Sequence, residues 1–395
     1  MGPAGSVSSP RRKTEAGIAA GLFAGLGLQV GVWAVLIPHV VASRGLTPAA
    51  LGGALALMAA TSIGALAAAG PLADRAGRRP VAVVGAVGFG AAFALLAAVE
   101  TQAALWPTVA LYGVASGFLD LAANAVGSDY ERAHRVRAMI RLHAGFSAAA
   151  AAGALLAGAV GPETYWIAAA IYAGLAVVTA IAPLPAHERM PSAAPGGRLG
   201  LLRIPAIAVA VALCSLCFFG DGAIEGYAAL FLRDVLASGS LLTGAALAAF
   251  HSASLVGRLV FGRMRDERRV LTIAGLLASA GMAVVVAAGS AVLAAVGLLV
   301  VGFALSPVVP TALSLAGRSA PGRSGTAVSL VTTIGYSAFV AGPPLVGALA
   351  GLTSLRVALA PIVVSTAAIA LLARYSGVTY APESPPSTRK VEAVT

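Results

Sequence analysis

Twelve apolar stretches, each long enough to cross a lipid bilayer, alternate along this chain with short polar turns. They fall at 16–41, 48–69, 80–99, 104–127, 139–160 and 164–183, and again at 204–231, 239–261, 270–289, 291–316, 325–349 and 352–373. At a rise of ~1.5 Å per residue, roughly 20 residues cross a hydrocarbon core of ~30 Å, so the pattern predicts twelve transmembrane α-helices. The rhythm breaks once, over the Pro/Gly-rich polar run from Pro185 to Arg203, which has the composition of a surface linker. The expected organisation is a disordered tail at 1–14, a six-helix bundle at 15–184, a linker at 185–203, a second six-helix bundle at 204–374 and a disordered tail at 375–395. Pro38 is expected to kink the first segment, and Pro307, Pro310, Pro343 and Pro344 the tenth and eleventh.

Composition supports this and excludes a soluble domain: 59% of residues are hydrophobic, 10% are charged, and the mean hydropathy is +0.91. A net charge of +11 would suggest a nucleic-acid partner in a soluble protein. Here it is a topology signal. Numbered alternately from the N-terminus, one set of loops carries 23 of the 26 Lys and Arg residues and the other only Arg44, Arg233 and Arg356. That asymmetry places both termini and the linker in the cytoplasm. Cys214 and Cys217 lie inside an apolar span and are too few for a disulfide framework. The polar segments contain no phosphate loop, metal-ligand cluster or nucleophile–base pair, and are too short for an ATPase domain. No enzyme activity, cofactor, metal or nucleic-acid partner is expected, so any work the protein does must draw on a gradient or on its solute.

One polar run interrupts the first 90 or so apolar residues: Gly70-Pro-Leu-Ala-Asp74-Arg75-Ala-Gly77-Arg78-Arg79-Pro80. Gly70 and Pro71 are expected to close one helix and Asp74 to open the next. The order G-x-L-A-D-R-x-G-R-R resembles the signature loop between the second and third helices of the major facilitator superfamily. A degraded second copy, Gly262-Arg-Met-Arg-Asp266, sits at the same place in the second half, 192 residues further on. The resemblance implies two pseudo-symmetric six-helix bundles, alternating access, and a solute site between the halves. It also assigns Gly70, Asp74, Arg75, Gly77, Arg78, Arg79, Gly262 and Asp266 to a gate at the cytoplasmic face.

Ionisable residues inside a membrane are costly and are therefore candidates for function. Asp120, deep in the fourth segment, shares a helical face with Gly113, Gly117 and Asn124. It is either a structural acid, held by Asn124 or Arg141, or a proton carrier, since removal from water favours a neutral carboxyl. Leu119-Asp120-Leu-Ala-Ala-Asn124 resembles the fourth helix of fucose:proton symporters, which implies proton coupling, although the first segment carries Ala34 where those symporters have a second acid. Asp221 and Glu225, one turn apart, are expected in the outer third of the seventh segment, where they either share a proton or cation or, if Gly220 and Gly222 break the helix, face outer water. The run from Asp221 through Tyr227 to Asp234, with Arg141-Leu-His143, Gly335-Tyr336 and Gly342-Pro343-Pro344, resembles YbjJ-like inner-membrane transporters. His143 is either an interfacial anchor or a partner of Asp120, and His39 and His251 are expected to be interfacial and interhelical. Gln29, Asn124, Arg141, Tyr227 and Tyr336 are candidates to line a solute cavity.

Taken together, the expectation is a monomeric secondary transporter, a proton symporter of a small polar solute. Its rivals are a proton-coupled exporter of drugs or metabolites and, in another class, a non-transporting sensor or assembly partner on the same scaffold.

Overall fold

The computed structural model describes residues 10–136, 138–186, 199–261, 264, 266–320 and 323–375. The first half comprises α1 (Pro10–Arg44), α2 (Pro48–Ala76), α3 (Arg78–Ala98), α4 (Gln102–His134), α5 (Met139–Val160) and α6 (Thr164–Ile181). The second comprises α7 (Pro205–Leu230), α8 (Ser240–Phe261), α9 (Glu267–Ala287), α10 (Ala291–Leu305), α11 (Val308–Ser319), α12 (Ser324–Leu352) and α13 (Leu355–Tyr375). Among the described residues, eleven candidate spans are long and apolar enough to cross a membrane. One of them, Arg141–Ile181, runs for 41 residues, twice what a bilayer needs. It is broken at Gly161, whose φ of +75° suits glycine, so α5 and α6 cross separately and the chain makes twelve passes.

Several boundaries depart from the sequence-based expectation. Helix α1 begins at Pro10, so Arg11, Arg12 and Lys13 lie in its first turns rather than in a tail. Pro71 does not close α2, which continues to Ala76 and ends on Gly77 at φ +88°, its N–H donating to the Ala73 carbonyl at 3.0 Å. A proline this close to a helix end forfeits one hydrogen bond near a terminus that fraying would loosen anyway, and the turn moves on to the glycine. Asp74 therefore lies in the last turn of α2, not at the start of α3. The tenth apolar segment is two helices, α10 and α11, separated at Ser306–Pro307, whereas α12 runs unbroken through Pro343 and Pro344, as α1 does through Pro38. Within the expected linker, Leu199–Arg203 forms a short 3-10 turn; residues 187–198, the tails at 1–9 and 376–395, and Gly262 lie outside the described residues.

The packing repeats between halves. In the first, α1 packs on α5, α2 on α4, and α3 on α4 and α6. In the second, α7 packs on α12, α8 on α10, and α9 on α10 and α13, which is the same set of pairs six crossings later. The halves meet along α2 with α12 and α5 with α8, again a symmetric pair of contacts. These interfaces rely on small residues, as expected where lipid supplies no hydrophobic drive between helices. A Cβ on Gly158 of α5 would stand 2.9 Å from the Gly244 Cα of α8. Below, the face where α1 begins and α13 ends is the near face, and the opposite one the far face.

Candidate functional site

At the far face the halves are sealed. Gly158 and Gly244 bring α5 and α8 into backbone contact, and Gly52 of α2 lies against Pro344 of α12. The Tyr227 hydroxyl donates to the Pro48 carbonyl at 3.2 Å, tying α7 to α2. Tyr227, a candidate cavity residue on sequence, is thus fully buried in the seal, because two positions past Glu225 it points to the other side of α7.

Beneath the seal, four helices bring polar side chains into the space between halves. On α4, Gly113 and Gly117 pack on the backbone of α2, which leaves Asp120 and Asn124 partly exposed. Asn124 Nδ2 donates to Asp120 Oδ1 at 2.8 Å and to its carbonyl at 2.9 Å. Arg141 stays exposed in the first turn of α5. From α12, the Tyr336 ring stacks on Phe218 of α7, centroids 5.2 Å apart. Its hydroxyl lies in the electrostatic field of both Asp120 and Glu225, acids of the two halves.

Helix α7 is not broken at Gly220-Asp221-Gly222, and a π-helical turn over Phe231–Val235 extends it. Counted from Val235, Glu225 lies about 15 Å and Asp221 about 21 Å down the span. Because α7 is continuous there, neither acid lies on a helix break that would open it to outer water. The Cys217 thiol donates to Asp221 Oδ2 at 3.7 Å. The cation that acts on Asp221 is Arg258 of α8, whose Nη1 donates to Ser147 Oγ of α5 at 3.2 Å, a link between halves. His143, one turn before Ser147, lies in the same field, with its ring edge-on to Phe23 at 4.9 Å. Gln29 is buried, and its side-chain oxygen accepts from the Tyr112 hydroxyl at 2.6 Å, fastening α1 to α4. His39 is partly exposed near the far end of α1; His251 is buried against Phe250.

Sequence reasoning missed Arg258 and Tyr112 as site residues. Arg258, three residues before the end of α8, reads as part of the basic loop that follows, though an arginine inside an apolar run is itself a signal. Tyr112 carries no such signal, since an aromatic residue on an apolar helix reads as core.

At the near face the arginines of the polar loop serve their own half. Arg78 Nε bonds Asp129 Oδ2 at 3.3 Å, Arg132 also pairs with Asp129, and Arg79 donates to the carbonyls of Ala180 and, at 2.8 Å, Ala182 at the end of α6. Glu15 is held by Arg11 at 2.9 Å and His134 at 2.6 Å, and Arg318 by Glu267 at 2.6 Å. Arg75 is exposed, and Gly70 lies inside α2. Asp266 caps α9, its Oδ1 accepting from Arg269 N at 3.0 Å, whereas Asp74 lies within the last turn of α2.

Twelve crossings in two repeated halves, a seal between the halves at one face and partly exposed polar side chains between them define a membrane carrier. The chain belongs to the Major Facilitator Superfamily, whose model matches residues 18–343. An uncharacterised MFS-type transporter of Yersinia pestis is 28% identical, over 88% of this chain and 92% of that one. Membrane protein MosC of Rhizobium meliloti is 27% identical, over 88% and 87%. Among solved structures, a point mutant of the nucleoside transporter NupG superposes with a TM-score of 0.76 at 12% identity, over 92% of this chain and all of that one. A bacterial homologue of the human lysosomal transporter Spinster, inward-facing and unoccupied, gives 0.74 at 14% identity, over 93% and 97%. The chain is thus a transporter rather than an enzyme.

Proposed function

We propose that this transporter is a monomeric proton symporter that brings a small polar solute into the cytoplasm of a bacterium by alternating access, with Asp120 as its proton carrier. The observation that carries the reading is the setting of Asp120: a partly exposed carboxyl between the halves, hydrogen-bonded to an amide of its own helix and, among the described residues, paired with no cation. Such a group is costly when charged inside a membrane, and a proton removes that cost, so protonation favours the reorientation of the carrier. Asp221 has a different setting because Arg258 supplies its counter-charge. Tyr336, facing acids of both halves, gives protonation at Asp120 a route to the second half. The membrane in this reading is the bacterial inner membrane, and the distribution of Lys and Arg supports a cytoplasmic near face, with both termini and the linker on that side. The sealed far face then makes this an inward-facing state.

The test uses proteoliposomes and a solute found by thermal-shift screening of the purified protein. Asp120→Asn keeps shape and hydrogen bonding but cannot exchange a proton. Uptake driven by a proton gradient is expected to fail while solute-for-solute counterflow survives. Loss of both modes together would make Asp120 structural; uptake driven only by an outward-directed proton gradient would identify an exporter running in reverse; binding without counterflow would identify a sensor.

A further inference from the structure

A positive charge stands between the halves, on the near side of the acids. Arg258 of α8 reaches α5, its Nη1 donating to Ser147 Oγ at 3.2 Å, and it shares a field with Asp221 and Cys217 of α7 and with His143 of α5. Helix α8 runs from the far face to the near one, and helical side chains lean toward the N-terminus, so the guanidinium is aimed back into the membrane instead of out to the near face. Its partner Ser147 accordingly lies about 12 Å from the near end of α5. Arg258 is nonetheless exposed, and so is His143, one turn from Ser147 on the same face of α5. Beyond the bond to Ser147 the guanidinium makes no hydrogen bond and no ion pair among the described residues, and Asp221 acts on it only through the field. Its Nε–Nη2 edge is therefore open and turned toward the space between the halves.

An arginine charge inside a membrane is costly and marks the path of an ion or solute. Water hydrates the open edge but leaves the charge in place. An ammonium is repelled by Arg258, and a neutral hydroxyl does no more than the water it displaces. A phosphate monoester brings up to two negative charges beside Asp221. A carboxylate brings one, and its two oxygens match the planar edge in a pair of parallel hydrogen bonds. We infer that Arg258 is a specificity-determining residue for a solute that carries a carboxylate, which docks on its Nε–Nη2 edge with the His143 ring beside it, while Ser147 fixes the orientation of the guanidinium. Both halves build this site: α8 supplies the charge, and α5 the imidazole and the hydroxyl. The inference rests on the transport reading above and narrows its polar solute to a small ionised carboxylic acid.

The test is calorimetric titration of the full-length protein in lipid nanodiscs with acetate, lactate and benzoate, with the matching amides acetamide, lactamide and benzamide, and with methyl phosphate. Chloride buffer is used throughout, so that a site for any small anion is already filled. Small probes bind weakly, so concentrations run into the millimolar range. Wild type is expected to bind at least one carboxylate about tenfold tighter than its amide, and tighter than methyl phosphate. Arg258→Gln should erase the preference for acid over amide, and Arg258→Lys, which keeps the charge but loses the paired edge, should retain part of it. Because Arg258→Gln also strands Asp221, the double variant Arg258→Gln/Asp221→Asn separates contact from structure, and it too should show no preference. His143→Gln should weaken carboxylates a few-fold. Thermal unfolding of each variant reports that it is folded. No carboxylate binding to folded wild type, amides bound as tightly as acids, methyl phosphate bound more tightly, or an acid preference restored in the double variant would each overturn the inference. The transport reading fails separately: a carboxylate that binds through Arg258 but is not exchanged in counterflow overturns that reading and leaves the assignment of Arg258 standing.

Discussion

The contacts that join the two halves of this transporter at the far face and those that hold each half together at the near face are of opposite kinds. The far seal is made of backbone contact across the halves, Gly158 on Gly244 and Gly52 on Pro344, with a single phenol hydrogen bond from Tyr227. The near face is held by charge within each half: Arg78 of α3 bonds Asp129 of α4, which Arg132 of the same helix also holds, Arg318 of α11 pairs with Glu267 of α9, and Asp266 caps α9. A seal between halves has to open in each cycle, and contacts of glycine with backbone separate without stranding a charge. Clasps within a half never open, so they can use ion pairs that would be costly to break. The difference predicts that far-face substitutions move the conformational equilibrium and near-face substitutions move stability.

The largest effect is expected from Gly158→Leu. A Cβ there already stands 2.9 Å from Gly244 and from the Ser240 carbonyl, so a larger side chain wedges the halves apart. Overpacking of this kind costs about 2 kcal/mol or more. Thiol labelling of a reporter cysteine at the far face should rise tenfold or more and transport should collapse, with little change in thermal unfolding. Normal labelling would remove the seal. Asp129→Ala comes next: with its carboxylate nearly fully buried and two arginines left behind, it should cost about 2 kcal/mol and lower the Tm by several degrees. Far-face labelling should not respond, and a response would mean that the clasp also sets the equilibrium between states. Tyr227→Phe removes one hydrogen bond of the seal, worth about 1 kcal/mol, and should raise far-face labelling a few-fold. The smallest effect belongs to Asp266→Ala, the loss of an exposed helix cap, at about 0.5–1 kcal/mol of stability with no change in labelling.

The contrast between faces also explains what the chain reveals before it is folded. The twelve crossings and the repeat are legible because apolar length and the spacing of polar loops act locally, residue by residue. Asp120, Asn124, Asp221 and Glu225 stand out because a charge or amide in an apolar run is rare. Their company is not legible. That Arg258 answers Asp221, and that Tyr336 faces Asp120 and Glu225, depends on how α4, α7, α8 and α12 are brought together, which no local pattern encodes. The polar loop misleads for a related reason: Gly70-Pro71 reads as a helix stop, but α2 tolerates its proline near the end and the positive φ falls to Gly77. Tyr227 and Glu225 are two residues apart, and only the direction each takes from α7 separates seal from cleft.

The central claim, that Asp120 carries the proton, is tested most directly by following protons themselves. Liposomes loaded with a pH-sensitive dye and containing the full-length protein are given an inward solute gradient with no imposed pH difference. Wild type should acidify the lumen as solute enters, and Asp120→Asn should leave lumenal pH flat while labelled solute still exchanges across the membrane. Acidification by the Asp120→Asn protein at the wild-type rate would contradict the account.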